Sequence, residues 1–149
     1  MPDIMHLVKI RTPAARVYEA VTTADGIHNW WTRDADVDDE IGGTAEFRFY
    51  EGSVATKVAL EELAPSRVVW KTIASTAPGG WKGTTISFDL REDGEDTVLS
   101  FSHRGFAQAD ENYARVTTGW AYFLISLQQY LETGRGAPHP DVDFTRVIR

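Results

Sequence analysis

The sequence predicts an α+β domain in which a curved antiparallel sheet wraps around a long C-terminal helix, with two short helices after the first strand. Apolar residues recur at three- and four-residue steps through residues 110–133, as on one side of an α-helix. Several segments with alternating apolar residues precede this helix, as in antiparallel strands that bury one face. A sheet curving around the helix would bury both apolar surfaces. The helical stripe consists of Tyr113, Val116, Trp120, Phe123, Leu124, Leu127 and Leu131.

Two short helices are predicted directly after the first strand. Residues 4–11 alternate weakly between apolar and polar side chains and end at Thr12-Pro13. The Thr12 hydroxyl can cap a helix, and a proline at the first helical position loses no needed hydrogen bond. The inward side of the first helix is predicted to carry Ala14, Val17, Ala20 and Val21. A second helix, beginning near Asp25, is predicted to present Ile27, Trp30 and Trp31.

Five strands are predicted after Gly42-Gly43. They cover residues 44–50, 54–63, 67–72, 84–90 and 97–104. The last two form the clearest hairpin, because the turn at residues 92–94 separates two alternating runs that each have one apolar face. That face is predicted to carry Thr84, Ile86, Phe88 and Leu90 on one strand, and Thr97, Leu99, Phe101 and His103 on the other.

The domain is predicted to span residues 1–134 and to be followed by an extended tail at 135–149. Asp110 suits the N-cap of the last helix, and Gly134 suits a left-handed residue at its C-terminal end. Two prolines disfavour a helix in the tail. Its apolar residues favour docking on the domain or on a second copy, and a frayed terminus is the alternative. These apolar residues are Val142, Phe144, Val147 and Ile148.

Composition narrows the classes of function. A formal net charge of −7 and the scattering of single basic residues disfavour nucleic-acid binding. The sequence has no cysteine, which excludes disulfides, thiolate nucleophiles and cysteine-based metal sites. Its start does not resemble a signal peptide, and the apolar stretch at residues 120–125 is far too short to cross a bilayer. We therefore expect a cytoplasmic protein without membrane insertion.

Large aromatic residues predict a cavity between the sheet and the last helix. Ligand cavities are typically walled by apolar rings with a few polar groups that orient the ligand. A solid core filled by the same rings is the alternative. His103 and Tyr113 are the predicted polar anchors. The predicted apolar contacts are Trp30, with its neighbour Trp31 as the alternative, Phe47, Phe49, Trp70, Phe88, Phe101, Trp120, Phe123 and Leu124.

No pattern in the sequence demands catalysis, a metal or a cofactor. His103 is the one catalytic candidate, as a general acid or base near neutral pH, but spacing assigns it no carboxylate partner. The acidic residues at 34–40 form a poor calcium loop, because Asp39 replaces the required glycine and Ala45 the final glutamate. We interpret them as a solvated loop. Residues 78–80, Pro-Gly-Gly before Trp81, are predicted to form a flexible turn that can act as a lid.

In their order and spacing these segments resemble the START-like superfamily (SRPBCC, helix-grip fold), and within it homologues of the C-terminal domain of the heat-shock chaperone ATPase activator. The similarity covers residues 4–134. Its landmarks are a first helix at 13–22, a tryptophan-bearing helix at 27–31, a sheet entry at 41–47, a hairpin at 62–70 ending in Trp70, a last strand at 99–106, and a last helix continuing from Gly119-Trp120.

The resemblance implies the helix-grip fold and a deep apolar cavity between the sheet and the C-terminal helix. The leading hypothesis is therefore a non-catalytic protein that binds a small hydrophobic or aromatic molecule there. One alternative is an enzyme of the polyketide cyclase or dehydratase type that uses His103. Another is a cochaperone-like module that binds proteins. The expected partners are the small ligand and, in a homodimer, a second copy of the chain.

Overall fold

A seven-stranded curved antiparallel sheet packs against three helices in the computed structural model, which describes residues 1–142. The strand order is β1-β7-β6-β5-β4-β3-β2, with every neighbouring pair antiparallel. This arrangement confirms the predicted α+β helix-grip fold. In chain order the elements are β1 (Asp3–Ile10), α1 (Ala14–Thr22), α2 (Ala24–Trp30), β2 (Asp34–Val37), β3 (Thr44–Phe49), β4 (Val54–Ala64), β5 (Arg67–Ser75), β6 (Thr85–Asp93), β7 (Asp96–Arg104) and α3 (Glu111–Thr133).

The core lies between the inner face of the sheet and the three helices. Phe88 and Phe101 face each other across the β6–β7 pair, and Trp70 on β5 packs edge-on against Phe88. The apolar stripe of α3 is buried from Trp120 onward, whereas Tyr113 and Val116 are only partly buried. The two halves of α3 therefore have different surroundings. No helix in residues 1–142 is long and apolar enough to cross a membrane.

The ends of the helices agree with the predictions for α3 and differ for α1. Asp110 accepts a hydrogen bond from the Tyr113 backbone N–H at 2.9 Å, and Gly134 adopts the left-handed conformation with φ of 86°. Thr12 does not cap α1. Pro13 is the N-cap and makes no side-chain cap bond, while the Thr12 carbonyl accepts a hydrogen bond from the Thr97 hydroxyl. That contact with β7 accounts for the position of Thr12.

The acidic segment predicted to be a solvated loop is in part a strand. Residues 34–37 form β2, which pairs with β3 at the edge of the sheet. Arg48 on β3 lies 2.9 Å from a carboxylate oxygen of Asp34 and 2.6 Å from one of Asp36, and it also contacts Glu46. Because one guanidinium offsets three carboxylates, the acidic residues can line up along paired strands. The loop prediction was wrong for this reason.

Part of the C-terminal tail contacts the domain beside α2 and β2. The His139 carbonyl accepts a hydrogen bond from the Arg33 N–H, and the His139 N–H donates to the Trp31 carbonyl. Arg33 also forms an ion pair with Asp141 at 2.6 Å, and Val142 packs against the core. Residues 135–142 thus lie along the turn after α2. The predictions for Phe144, Val147 and Ile148 fall outside the described residues.

Gly26 marks a close approach between α1 and α2. A Cβ atom at this position would lie 2.5 Å from the Cα and carbonyl oxygen of Ala20. The same carbonyl accepts a hydrogen bond from the Trp30 indole N–H at 2.8 Å. Backbone atoms cannot rotate away as a side chain can, so a side chain at residue 26 would push the helices apart.

We predict that Gly26→Ala lowers the free energy of unfolding by about 1–3 kcal/mol, the usual cost of overpacking. The gain of about 1 kcal/mol from replacing a helical glycine with alanine is too small to offset this clash. Urea denaturation followed by circular dichroism measures the change. Glu19→Ala, on the exposed side of α1, is the control and should change stability by less than about 0.5 kcal/mol. A Gly26→Ala protein as stable as the wild type would contradict the prediction.

Candidate functional site

A cavity of about 160 Å³ lies between the first half of α3, the β3–β4 end of the sheet and the segment before β6. We call it the α3 cavity. It is partly open to solvent, and its lining is mainly aromatic and aliphatic. The lining residues are Trp31, Phe49, Tyr50, Val54, Thr56, Ala77, Pro78, Trp81, Asn112, Arg115, Val116, Gly119, Trp120 and Phe123.

One side of α3 forms a continuous wall of the cavity. The lining residues of α3 are separated alternately by three positions and by one position in the sequence. This spacing keeps them on the same face of the helix. The wall changes character along its length, from a polar pair in the first two turns to two large, buried rings further on. These six residues are Asn112, Arg115, Val116, Gly119, Trp120 and Phe123.

Aromatic contacts hold the inner end of the cavity. The ring of Trp31 lies 4.9 Å from that of Trp120 and 5.7 Å from that of Phe49. The ring centroids of Phe49 and Phe123 are 6.2 Å apart. Trp81 stacks on Trp120 with the same centroid separation, 6.2 Å. These rings come from α3, β3, the residue after α2 and the segment before β6. The cavity therefore depends on all four parts of the fold.

The mouth of the cavity carries a positive charge held in place by its neighbours. Arg115 donates a hydrogen bond from Nη1 to the Asn112 side-chain oxygen at 3.1 Å and one from Nη2 to Glu111 at 2.7 Å. Both partners lie on the preceding turn of α3. On the opposite wall, the buried Trp81 indole nitrogen has no hydrogen-bond partner among residues 1–142. The cavity thus combines an apolar interior with a cationic rim.

His103 is closed off beside the cavity. The Trp120 indole nitrogen donates to His103 Nδ1 at 3.0 Å, so Nδ1 must be the unprotonated ring nitrogen, since an indole N–H only donates. His103 Nε2 therefore carries the hydrogen and donates to the Thr84 hydroxyl at 2.8 Å. Burial lowers the pKa of His103 to about 3. The imidazole is neutral, and both nitrogens are engaged.

Three of the residues predicted to contact a ligand line the α3 cavity: Phe49, Trp120 and Phe123. The others are used elsewhere in the fold. Tyr113 donates its hydroxyl hydrogen to the Asp3 carbonyl at 2.6 Å, and His103 is fully buried. The remaining six lie in the packed core, where ring-to-ring contacts such as Phe88–Phe101 at 5.3 Å fill the space. They are Trp30, Phe47, Trp70, Phe88, Phe101 and Leu124.

Several lining residues were not among the predicted contacts. Trp31, the alternative to Trp30 in the sequence analysis, lines the cavity, whereas the Trp30 indole N–H is bound to the Ala20 carbonyl. Asn112 and Arg115 directly precede Tyr113 and Val116, so they flank the start of the predicted helical stripe, and their three-residue spacing was a usable signal. Trp81 and Pro78 belong to the segment predicted to act as a lid, and the structure places both against the cavity.

The fold and the cavity between sheet and last helix define a START-like, helix-grip protein, which confirms the resemblance found in the sequence. A family model described as "Activator of Hsp90 ATPase homolog 1-like protein" matches residues 11–132. The chain belongs to this family. Among functionally curated proteins, none is similar enough to give a match.

Solved structures share the fold over nearly the whole chain. A protein described as the Aha1 dimer from Colwellia psychrerythraea is 35% identical, with a TM-score of 0.81 over 91% of this chain and 100% of that one. A Staphylococcus saprophyticus protein is 22% identical, with a TM-score of 0.74 over 91% and 95% of the two chains. DynU16, encoded in the dynemicin biosynthetic locus, is 19% identical, with a TM-score of 0.73 over 90% of this chain and 48% of that one.

We predict that His103 makes stability fall in mild acid. Its folded-state pKa of about 3 lies below the usual histidine pKa of 6.5, so the unfolded chain binds the proton first. Neutral His103 makes its full contribution to the free energy of unfolding above about pH 6.5. This contribution is lost as the pH falls toward 3, by about 1.4 kcal/mol per pH unit. His103→Gln removes this proton-linked loss.

Urea denaturation of both proteins between pH 7 and pH 4 measures the effect. At pH 7 His103→Gln should be the less stable protein, by about 1–3 kcal/mol, because Trp120 and Thr84 lose well-placed partners. That difference should shrink as the pH falls. Comparing the two proteins cancels the titration of carboxylates, which they share. A difference that stays constant from pH 7 to pH 4 would contradict the assignment.

Proposed function

We propose that this protein binds a small apolar or aromatic molecule in the α3 cavity. The observation that supports this most directly is the position of Trp31, Trp120 and Phe123 around an unfilled space that opens to solvent. Protein interiors normally leave few voids, so a cavity walled by large rings in a domain of this size favours a ligand.

The size of the cavity limits the ligand to one or two rings. An engineered apolar cavity of about 150 Å³ takes up benzene, and the α3 cavity has about 160 Å³. Burying about 150–200 Å² of aromatic surface contributes about 4–5 kcal/mol at 25 cal/mol per Å². Since about −4 kcal/mol corresponds to millimolar binding, apolar contact alone supports only weak affinity.

The geometry of His103 does not support the cyclase or dehydratase alternative. A general acid or base must reach a substrate proton directly or through one water. Both nitrogens of His103 are bound to Thr84 and Trp120, and the ring is fully buried. Proton transfer at this residue would first require breaking one of these buried hydrogen bonds. An enzyme of this kind would have to use other groups.

We further propose that the chain forms a homodimer through the outer face of β1. The Colwellia relative is described as a dimer. Met5 and Leu7 alternate along β1 and are 68% and 71% exposed, although β1 is an edge strand. Large apolar side chains on such a strand are typical of a surface that another chain covers. A chaperone or other protein partner on this face is the alternative occupant.

We predict that narrowing the α3 cavity abolishes ligand binding. Val116→Phe adds a ring to the α3 wall, whereas Ala114→Phe adds the same ring to the exposed side of the helix. Isothermal titration calorimetry with naphthalene derivatives measures affinity. Val116→Phe should weaken binding at least tenfold, and Ala114→Phe should leave it unchanged. If neither the wild type nor Ala114→Phe binds any member of a panel of one- and two-ring aromatics, the proposed function is wrong.

We predict that Leu7→Lys shifts a dimer to monomer. A charge on this face would have to be desolvated at the interface, which is costly without a partner. Sedimentation velocity over a range of protein concentrations measures the mass. Ile125→Lys, at a partly exposed apolar position on α3, is the matched control and should leave the dimer intact. A wild-type chain that stays monomeric at all concentrations would refute the homodimer.

A further inference from the structure

We propose that the ligand of the α3 cavity is an aromatic carboxylate whose acid group pairs with Arg115. This inference rests on the proposed function and specifies the chemistry of the ligand. Among the lining residues within the described part of the chain, residues 1–142, Arg115 is the one charged side chain. The other lining residues in this part of the chain are apolar, aromatic or neutral and polar.

The charge sits where the acid group of a bound aromatic acid would lie. Trp120 and Phe123 are almost fully buried at the inner end, whereas the Arg115 side chain is 40% exposed. The two ends are about two turns apart on the same side of α3. An aromatic acid matches this order, because its ring can enter the apolar end while the carboxylate remains at the rim.

Asn112 pre-orients the guanidinium. Its side-chain oxygen holds Nη1 of Arg115 at 3.1 Å, which lowers the cost of ordering a long side chain when a ligand binds. An arginine can donate two parallel hydrogen bonds to one carboxylate, so it selects planar anions over neutral groups. The Asn112 side chain lines the cavity as well, so its amide nitrogen is a further donor at the rim.

Glu111 is the group that competes with a ligand for Arg115. It lies 2.7 Å from Nη2, but its side chain is 81% exposed. Exposed pairs of this i,i+4 type are weak, because water screens both charges. Once the ring of the ligand is buried, its carboxylate is already held beside Arg115. Pairing with Arg115 then has no further entropic cost. It can share the guanidinium with Glu111 or displace it.

The test compares 2-naphthoate with its neutral analogue 2-naphthamide by isothermal titration calorimetry at pH 7. The wild type should bind naphthoate at least tenfold more tightly than naphthamide. In Arg115→Gln this ratio should fall to about one, since glutamine keeps the helix but not the charge. Arg115→Lys should keep part of the preference. Glu111→Gln should strengthen naphthoate binding by about two- to fivefold, because it removes the competing carboxylate.

Arg16→Gln is the matched control, since it removes an exposed helical cation from α1 without touching the cavity. It should leave both affinities unchanged. Equal binding of the two probes by the wild type would overturn the inference while leaving the proposed function intact. The inference would also be overturned if Arg115→Gln kept the wild-type preference for naphthoate over naphthamide. The same holds if Arg16→Gln lost this preference as fully as Arg115→Gln does. Failure of both probes to bind the wild type would count against the proposed function itself.

Discussion

The hydrogen bond from the Trp120 indole to His103 ties the last helix to the sheet at the border between the solid core and the α3 cavity. The Trp120 indole N–H donates to His103 Nδ1, which can accept only because the imidazole is neutral. The other nitrogen of His103 binds Thr84, whose hydroxyl in turn donates to the Trp81 carbonyl. One chain of hydrogen bonds thus positions two tryptophans of the cavity wall.

This arrangement explains why one helix can serve two purposes. On the core side of the Trp120–His103 hydrogen bond, the ring of Phe101 packs against that of Trp120, with the ring centroids 4.4 Å apart. On the cavity side, Trp31 and Trp81 contact the same indole at longer distances. The part of α3 beyond Phe123 therefore contributes mainly to the core, whereas the part before it forms the wall of the cavity. His103 thus accepts the hydrogen bond that orients Trp120 in the cavity wall.

Alternation and helical periodicity predicted most of the fold, because they report which face of an element is buried. They do not report depth. Phe88 and Phe49 both lie on inward faces, yet Phe88 is in the middle of the sheet, where rings from β5 and β7 pack against it, and Phe49 is at the end of a strand. Likewise, periodicity cannot decide between the adjacent Trp30 and Trp31. Strand β2 was missed because its stability depends on Arg48, a partner that only the pairing with β3 brings close.

The overall charge of the chain and the charge at the cavity act over different distances. A net charge of −7 repels anions from afar, but salt at physiological strength screens this repulsion beyond about 8–10 Å. Arg115 acts at hydrogen-bond distance, where screening is weak and geometry decides. An acidic surface is therefore compatible with the proposed anion site, and it would add selectivity. Under the proposal, anions that cannot bury a ring would gain too little at the rim to offset the repulsion, whereas an aromatic acid would gain from both ends of the cavity.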